Sequence, residues 1–231
     1  MLDFHNHILP GIDDGSPDIN TSNDLLIGLM ELGFDQVKPS PHIIADTHPN
    51  TPATIENAFN QLISNADILS NQKNQLLGFS AEHMLDDIFL QKLNRKENLL
   101  CVKDKYILVE FSYAHKPERI ENYSFQLQIM GYIPILAHPE RYGYFFKDYK
   151  TNYTYLKDLG FDFQLNLLSL TPYYGKEVQI ISNKLLQEGY YDYACTDLHH
   201  YRHLDALKTF FTKESLHELF EKNQLKNHIL V

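Results

Sequence analysis

Met130-Gly131-Tyr132-Ile133-Pro134-Ile135-Leu136-Ala137-His138 is the stretch on which the reading of the fold turns. A glycine and an aromatic close the helical segment before it, an apolar run then reads as a strand, and a histidine stands where the strand stops. Glycine in the left-handed conformation after a helix, followed by a buried strand, is the αβ turn of a repeating βα unit. The same phrase recurs as Leu32-Gly33-Phe34, Leu159-Gly160-Phe161 and Glu188-Gly189-Tyr190. Gly131, Gly160 and Gly189 fall 29 residues apart, a length that suits one such unit. The last two introduce expected strands over 163–167 and 191–196.

Working outward, residues 18–32 carry leucine and isoleucine at helical spacing, with Thr21 or Ser22 as the expected cap. A strand over 34–40 then runs into Pro41-His42. Thr51-Pro52 opens a long helix to about residue 74, with Ile55, Phe59, Leu62, Ile63 and Ala66 on one face. Strands over 76–81 and 106–109 lead to Glu82-His83 and Glu110, and the less regular segment between them has room for a short helix. Beyond Leu204 the pattern is helical again, ending in the apolar Ile229-Leu230-Val231. About seven strands alternate with helices without a linker or a low-complexity segment, which predicts one α/β domain over residues 1–231. A (β/α) barrel is the preferred architecture, and a doubly wound sheet is the alternative that the same alternation allows.

With 231 residues, 43% hydrophobic and 22% charged, the chain has the composition of a globular protein with a full core. No apolar run approaches the ~20 residues that span a bilayer. His5 comes too early for a secretory leader, so a cytoplasmic location is expected. Cys101 and Cys195 form no CxxC pattern and read as reduced thiols. The net charge of −10 argues against a nucleic-acid partner, whose phosphates are neutralised by Lys and Arg. It leaves a phosphorylated substrate open, because divalent cations invert the local field.

The polar residues at the expected strand ends carry the functional reading. The first strand ends in His5 and His7, the next in His42, and others in Glu82, Glu110, His138, and Asp197 with His199. In a barrel these C-terminal edges face one another, and active sites are built there. Nitrogen and carboxylate donors without thiolate favour Mn, Fe or Zn in a catalytic site, and the donors are too many for one ion.

His5-Asn6-His7, Pro41-His42, Ala81-Glu82, Val109-Glu110-Phe111-Ser112 and Thr196-Asp197-Leu198-His199 resemble the motifs of the polymerase-and-histidinol-phosphatase (PHP) superfamily. Within it, residues 5–15, His-Asn-His-Ile-Leu-Pro-Gly-Ile-Asp-Asp-Gly, and 138–142, His-Pro-Glu-Arg-Tyr, are similar to the bacterial PHP-type protein-tyrosine phosphatases of capsule and exopolysaccharide loci. The resemblance implies a single distorted (β/α)7 TIM-like barrel with up to three divalent ions, most often Mn²⁺. By motif, His5, His7, Glu82 and Asp197 would hold the first ion. Glu82 would bridge to a second ion completed by Glu110 and His138, and Asp14, His42 and His199 would hold a third. Asp13 is the other candidate for the place given to Asp14.

The implied activity is hydrolysis of phosphotyrosine by a metal-bound hydroxide, acting on a tyrosine autokinase that regulates polysaccharide synthesis. Arg141 and Arg202 are the expected phosphoryl contacts, although the loop from His199 to His203 departs from the common pattern. His199 and Asp197 are candidates to protonate the leaving phenolate. The aromatic-rich segment from Tyr142 to Tyr155 is either a rim for the phosphotyrosine ring or ordinary packing. A histidinol-phosphatase-like activity on small phosphate monoesters is the alternative. A metal-dependent amidohydrolase is the more distant one, because Glu82 and Glu110 stand where such sites commonly carry a bridging lysine. Self-association into a homo-oligomer is compatible with all three.

Overall fold

The structure is a computed structural model that describes residues 1–64 and 74–231. Its strands are short and all parallel. β1 (Leu2–Asp3) pairs with β2 (Gln36–Val37) in a two-stranded sheet. A six-stranded sheet follows in chain order: β3 (His42–Ile43), β4 (Glu82–Met84), β5 (Tyr106–Glu110), β6 (Ile133–Ala137), β7 (Asp162–Asn166) and β8 (Tyr193–Cys195). The α/β class is as expected, but the sheets do not close into a continuous barrel.

Two places interrupt the ring. Residues 36–43 change partner across Pro39-Ser40-Pro41, where the prolines have no N–H to give to a ladder. Between β1 and β8 the contacts are a few isolated bonds: Asp197 N–H to His5 O and His7 N–H to Leu198 O, both 2.8 Å. Side chains supply the rest of that seam. Buried Asp3 accepts from the N–H and hydroxyl of Thr196, and Asn227 bonds to Ala194 and to Leu2 O.

The described helices are α1 (Ile19–Leu32), α2 (Pro52–Ser64), α3 (Asp87–Asn94), α4 (Ile120–Ile129), α5 (Tyr149–Asp158), α6 (Lys176–Gln187), α7 (Tyr201–Phe210) and α8 (Lys213–Lys222). The cap of α1 is Asp18, which accepts from Thr21 N–H, rather than Thr21 or Ser22 themselves. Ser22 lies inside the helix with its hydroxyl on Ser16 and Asp18 O. The expected extension of α2 past Ser64, including Ala66, lies outside the described residues. Gly131 and Gly189 have φ of 77° and 72°, the left-handed turns that the repeated phrase predicts before β6 and β8. No described helix is long and apolar enough to cross a membrane.

Alternation along the strands divides the core in two. Ile107, Val109, Leu136, Phe163, Leu165 and Ala194 pack toward the helices. Leu2, Phe4, Leu108, Ile135, Ala137, Tyr193 and Cys195 form a smaller apolar cluster on the other face, closed by Leu230. On that face Glu110 follows Leu108, and β7 contributes Gln164 and Asn166. Glu110 and Asn166 therefore stand at the C-terminal ends of β5 and β7, on the side of this apolar cluster.

Candidate metal centre

Two short histidine-bearing segments are held to their sites by backbone. His138 and Asp197 each follow a strand in the left-handed region, with φ of 35° and 50°. Such conformations strain residues with a Cβ and cluster at functional sites. Backbone bonds fix both residues, from His138 N–H to Gln164 O and from Asp197 N–H to His5 O, each 2.8 Å. The loop after His7 folds back on itself, with Ser16 N–H on His7 O. Gly15 sits against His7 so closely that a Cβ there would lie 2.1 Å from His7 O.

All nine residues expected as metal ligands come together. Their donor atoms fall into overlapping groups within 4.8 Å: His5, His7 and Asp197; His5, Glu82 and His138; His42, Glu82 and Glu110; and His7, Asp14, His42 and His199. Glu82 touches two groups, as a bridging carboxylate would. Its Oε2 lies 3.3 Å from His5 Nε2 and 2.9 Å from His42 Nδ1, and its Oε1 lies 3.0 Å from His138 Nε2. The position of Glu82 and His42 differs from expectation: each opens its strand rather than ending it.

The donor set fits divalent ions. His5 Nε2, His7 Nε2, His42 Nδ1, Glu82 Oε2 and Glu110 Oε1 are buried and crowd within 2.9–3.5 Å of neighbouring donors and acceptors without a well-aligned hydrogen bond, an arrangement that a cation between them would satisfy. Neighbouring bonds aim them. Gln164 Oε1 accepts from His5 Nδ1–H at 2.7 Å, and Asp13 Oδ2 accepts from His7 Nδ1–H at 2.8 Å, so both Nε2 atoms face inward. Asp13 and Asp14 are thereby distinguished. Asp13 is engaged with His7, Gly15 N–H and His42 N–H, while Asp14 directs Oδ1 at His199 Nε2 (3.5 Å) and His42 Nε2 (3.6 Å).

Burial raises the Glu82 and Asp197 carboxyls, but His5 and neighbouring imidazoles outweigh it and hold both well below the usual carboxylate range. Burial pushes His138 down to about 4, against the opposing pull of Glu82, so its imidazole is neutral. Glu110 is raised, by burial and by the charge of Glu82. Burial lowers His5 and His42 as well, yet the carboxylates facing them raise both.

A cavity of about 260 Å³ opens over these groups, lined by Asp14, His42, His138, Asp197 and His199 together with Tyr113, Arg141, Tyr174, His200 and His203. Arg141 Nη1 donates to Asp197 Oδ2 at 2.7 Å. Arg202 is not brought to the cavity: it is exposed on the first turn of α7, whose phase turns His203 inward instead. The segment from Tyr142 to Tyr155 is packing rather than a rim, since Tyr142, Phe145 and Tyr153 are fully buried. Tyr113, Tyr174, Gln164 and Asn166 are site residues that strand-end reasoning did not reach.

Residues 1–218 match the family model described as capsular polysaccharide synthesis, CpsB/CapC. The chain belongs to the CpsB/CapC family. It is 30% identical over 227 residues to tyrosine-protein phosphatase YwqE of Bacillus subtilis, covering 95% of this chain and 84% of that protein. It is 29% identical to the putative tyrosine-protein phosphatase CapC of Staphylococcus aureus, covering 100% of this chain and 91% of that one. Among solved structures it matches one from a study of YwqE and of CpsB from Streptococcus pneumoniae, described as metal-dependent tyrosine phosphatases. That match has a TM-score of 0.78 and 28% identity, and covers 97% of this chain and 93% of the other. In this CpsB/CapC chain the clustered donors and the cavity above them are therefore the candidate catalytic centre.

Proposed function

We propose that this chain is a metal-dependent protein-tyrosine phosphatase of capsular or extracellular polysaccharide synthesis, with a tyrosine autokinase as its substrate protein. The observation that carries the reading is the set of buried, unpartnered imidazole and carboxylate donors converging beneath a cavity that also holds Arg141. Mn²⁺ is the proposed ion, at up to three positions, with Fe or Zn compatible with the same donors. His5, His7, Glu82 and Asp197 would hold the first, Glu82, Glu110 and His138 the second, and Asp14, His42 and His199 the third. Bound there, such ions neutralise phosphoryl oxygens and lower the pKa of water.

The protein's own groups orient the ester. Arg141 retains N–H donors beyond the one given to Asp197, and these suit two phosphoryl oxygens. Asp197 makes a poor proton donor, because Oδ1 faces His5 and His7 while Oδ2 accepts from Arg141 and Asn166. Protonation of the leaving phenolate then falls to His199 or to solvent. A phenolate, with a parent pKa of about 10, needs little help.

We also read the strands as a distorted seven-stranded ring within one domain. The segment 36–43 would count as a single strand shared by both sheets, and the backbone bonds between the β1 and β8 segments support the seam. Free Cys101 and Cys195 accord with action in the cytoplasm. The test is kcat/KM for a phosphotyrosine peptide against histidinol phosphate with added Mn²⁺. A clear preference for the peptide is expected. Preference for histidinol phosphate would transfer the site to small monoesters, and hydrolysis of neither would overturn the phosphatase reading.

A further inference from the structure

We propose that Tyr113 and Tyr174 clamp the guanidinium of Arg141 between their rings and so set phosphate affinity at this site, an inference that rests on the phosphatase reading above. In the sheet β6 lies between β5 and β7, and each neighbour sends a tyrosine toward the arginine that follows β6. Tyr113 comes from the loop after β5, and Tyr174 from the 3₁₀ turn Pro172–Tyr174 beyond β7. The guanidinium carbon lies 4.9 Å from the Tyr113 ring centroid and 4.1 Å from that of Tyr174, within the range of cation–π attraction.

Both rings are themselves anchored. The Tyr113 hydroxyl is 3.2 Å from His138 Nδ1. Asn166 Nδ2 donates to Asp197 Oδ2 at 2.8 Å and to the Tyr174 hydroxyl at 3.4 Å. Arg141 donates to that same Asp197 oxygen. Its guanidinium thus has two rings against it and one nitrogen held by a carboxylate, and it keeps further N–H groups at a cavity that Arg141 lines.

Ordinary packing does not account for this arrangement. The Tyr113 side of the clamp is 46% exposed and borders the cavity, whereas the neighbouring Tyr142 and Tyr153 fill the core completely. A free arginine would lose rotamer entropy each time a phosphoryl group bound; a clamped one has lost it on folding. The two tyrosines are positioning residues, acting through Arg141 and not on the reacting bond.

The experiment compares Tyr113→Leu, Tyr174→Leu and the corresponding Phe variants with the wild type, all loaded with Mn²⁺. Inorganic phosphate binding is read by calorimetry, KM and kcat with para-nitrophenyl phosphate, and bound metal by elemental analysis. Each Leu variant should weaken phosphate binding about three- to tenfold and raise KM in step, with kcat changed less than about twofold. The Phe variants, compared at saturating Mn²⁺ because the Tyr113 hydroxyl also touches the proposed ligand His138, should recover most of the lost affinity, and metal content should not change in the Tyr174 variants. Unaltered phosphate binding in the Leu variants overturns the clamp, as do Phe variants as weak as Leu or metal lost in parallel from the Tyr174 variants. A wild type that binds phosphate yet hydrolyses no phosphotyrosine peptide overturns the phosphatase reading alone, and calorimetry still decides the clamp.

Discussion

Asp13 and Asp14 are sequence neighbours with different partners: one turns back to hold His7, and the other looks across at His42 and His199. Gln164 does for His5 what Asp13 does for His7. Outer partners of this kind are commonly worth 10–100-fold in metal affinity, so Gln164→Leu should weaken Mn²⁺ binding by about that factor while circular dichroism stays native. Titration of the metal-stripped variant checks it, and wild-type affinity would remove Gln164 from the site's support. Protonation follows the same geometry. Against the opposing effect of burial, facing carboxylates raise His5 and His42, and Asp13 and Asp197 help bring His7 up to about 10, so protons compete with a divalent ion for these imidazoles. Binding should therefore release protons and strengthen as pH rises, until these imidazoles are neutral. Calorimetry in buffers of different ionisation heat measures the release, and an ion bound without it would contradict the assignment.

At the level of elements, the strand-end ligands were legible because their chemistry is local. A histidine or carboxylate after an apolar run can be read one segment at a time, and Gly131, Gly160 and Gly189 mark where those runs begin. Tyr113, Tyr174 and Asn166 were not legible, because their roles depend on which strands are neighbours. The same holds for Arg202, whose place on the outer side of α7 is fixed by helix phase after the cap at His200. Arg141→Ala should accordingly reduce kcat/KM far more than Arg202→Ala. The reverse order would place the α7 arginine at the substrate. Gly15 gives a backbone counterpart. In Gly15→Ala the new Cβ meets His7 O and Cβ, so the loop must shift. A loss of about 1–3 kcal/mol with reduced metal content is expected, read from thermal melts and elemental analysis. An unaffected variant would show the contact to be slack.

For the whole molecule, the α/β alternation could be read from repeated αβ turns, but the breaks in the ring could not. They arise where Pro39 and Pro41 interrupt one segment and where the C-terminal 3₁₀ turn (Asn227–Leu230) returns to the β1–β8 seam. Asn227→Ala would leave buried Leu2 O and Ala194 N–H without their partner, at a cost of about 1–3 kcal/mol. Urea denaturation measures it, and a neutral effect would mean that the seam is held by packing alone. Asp192 joins three other parts, accepting from Phe163 N–H on β7, Lys157 on α5 and Lys226 before the terminal turn. Burial raises its carboxyl, but Lys157 and the Phe163 N–H outweigh that and lower it below 3.8. Its contribution is full above the unfolded pKa and is lost as pH falls through the folded value. Asp192→Asn should therefore flatten the decline in stability below about pH 4.

The central claim is that hydrolysis depends on ions held by the clustered donors, and phosphate release from a phosphotyrosine peptide tests it most directly. Protein stripped with chelator should release none, recover on titration with Mn²⁺, and fail to recover as His138→Ala despite a native circular dichroism spectrum. Release by the stripped protein, or full recovery in His138→Ala, would contradict the account.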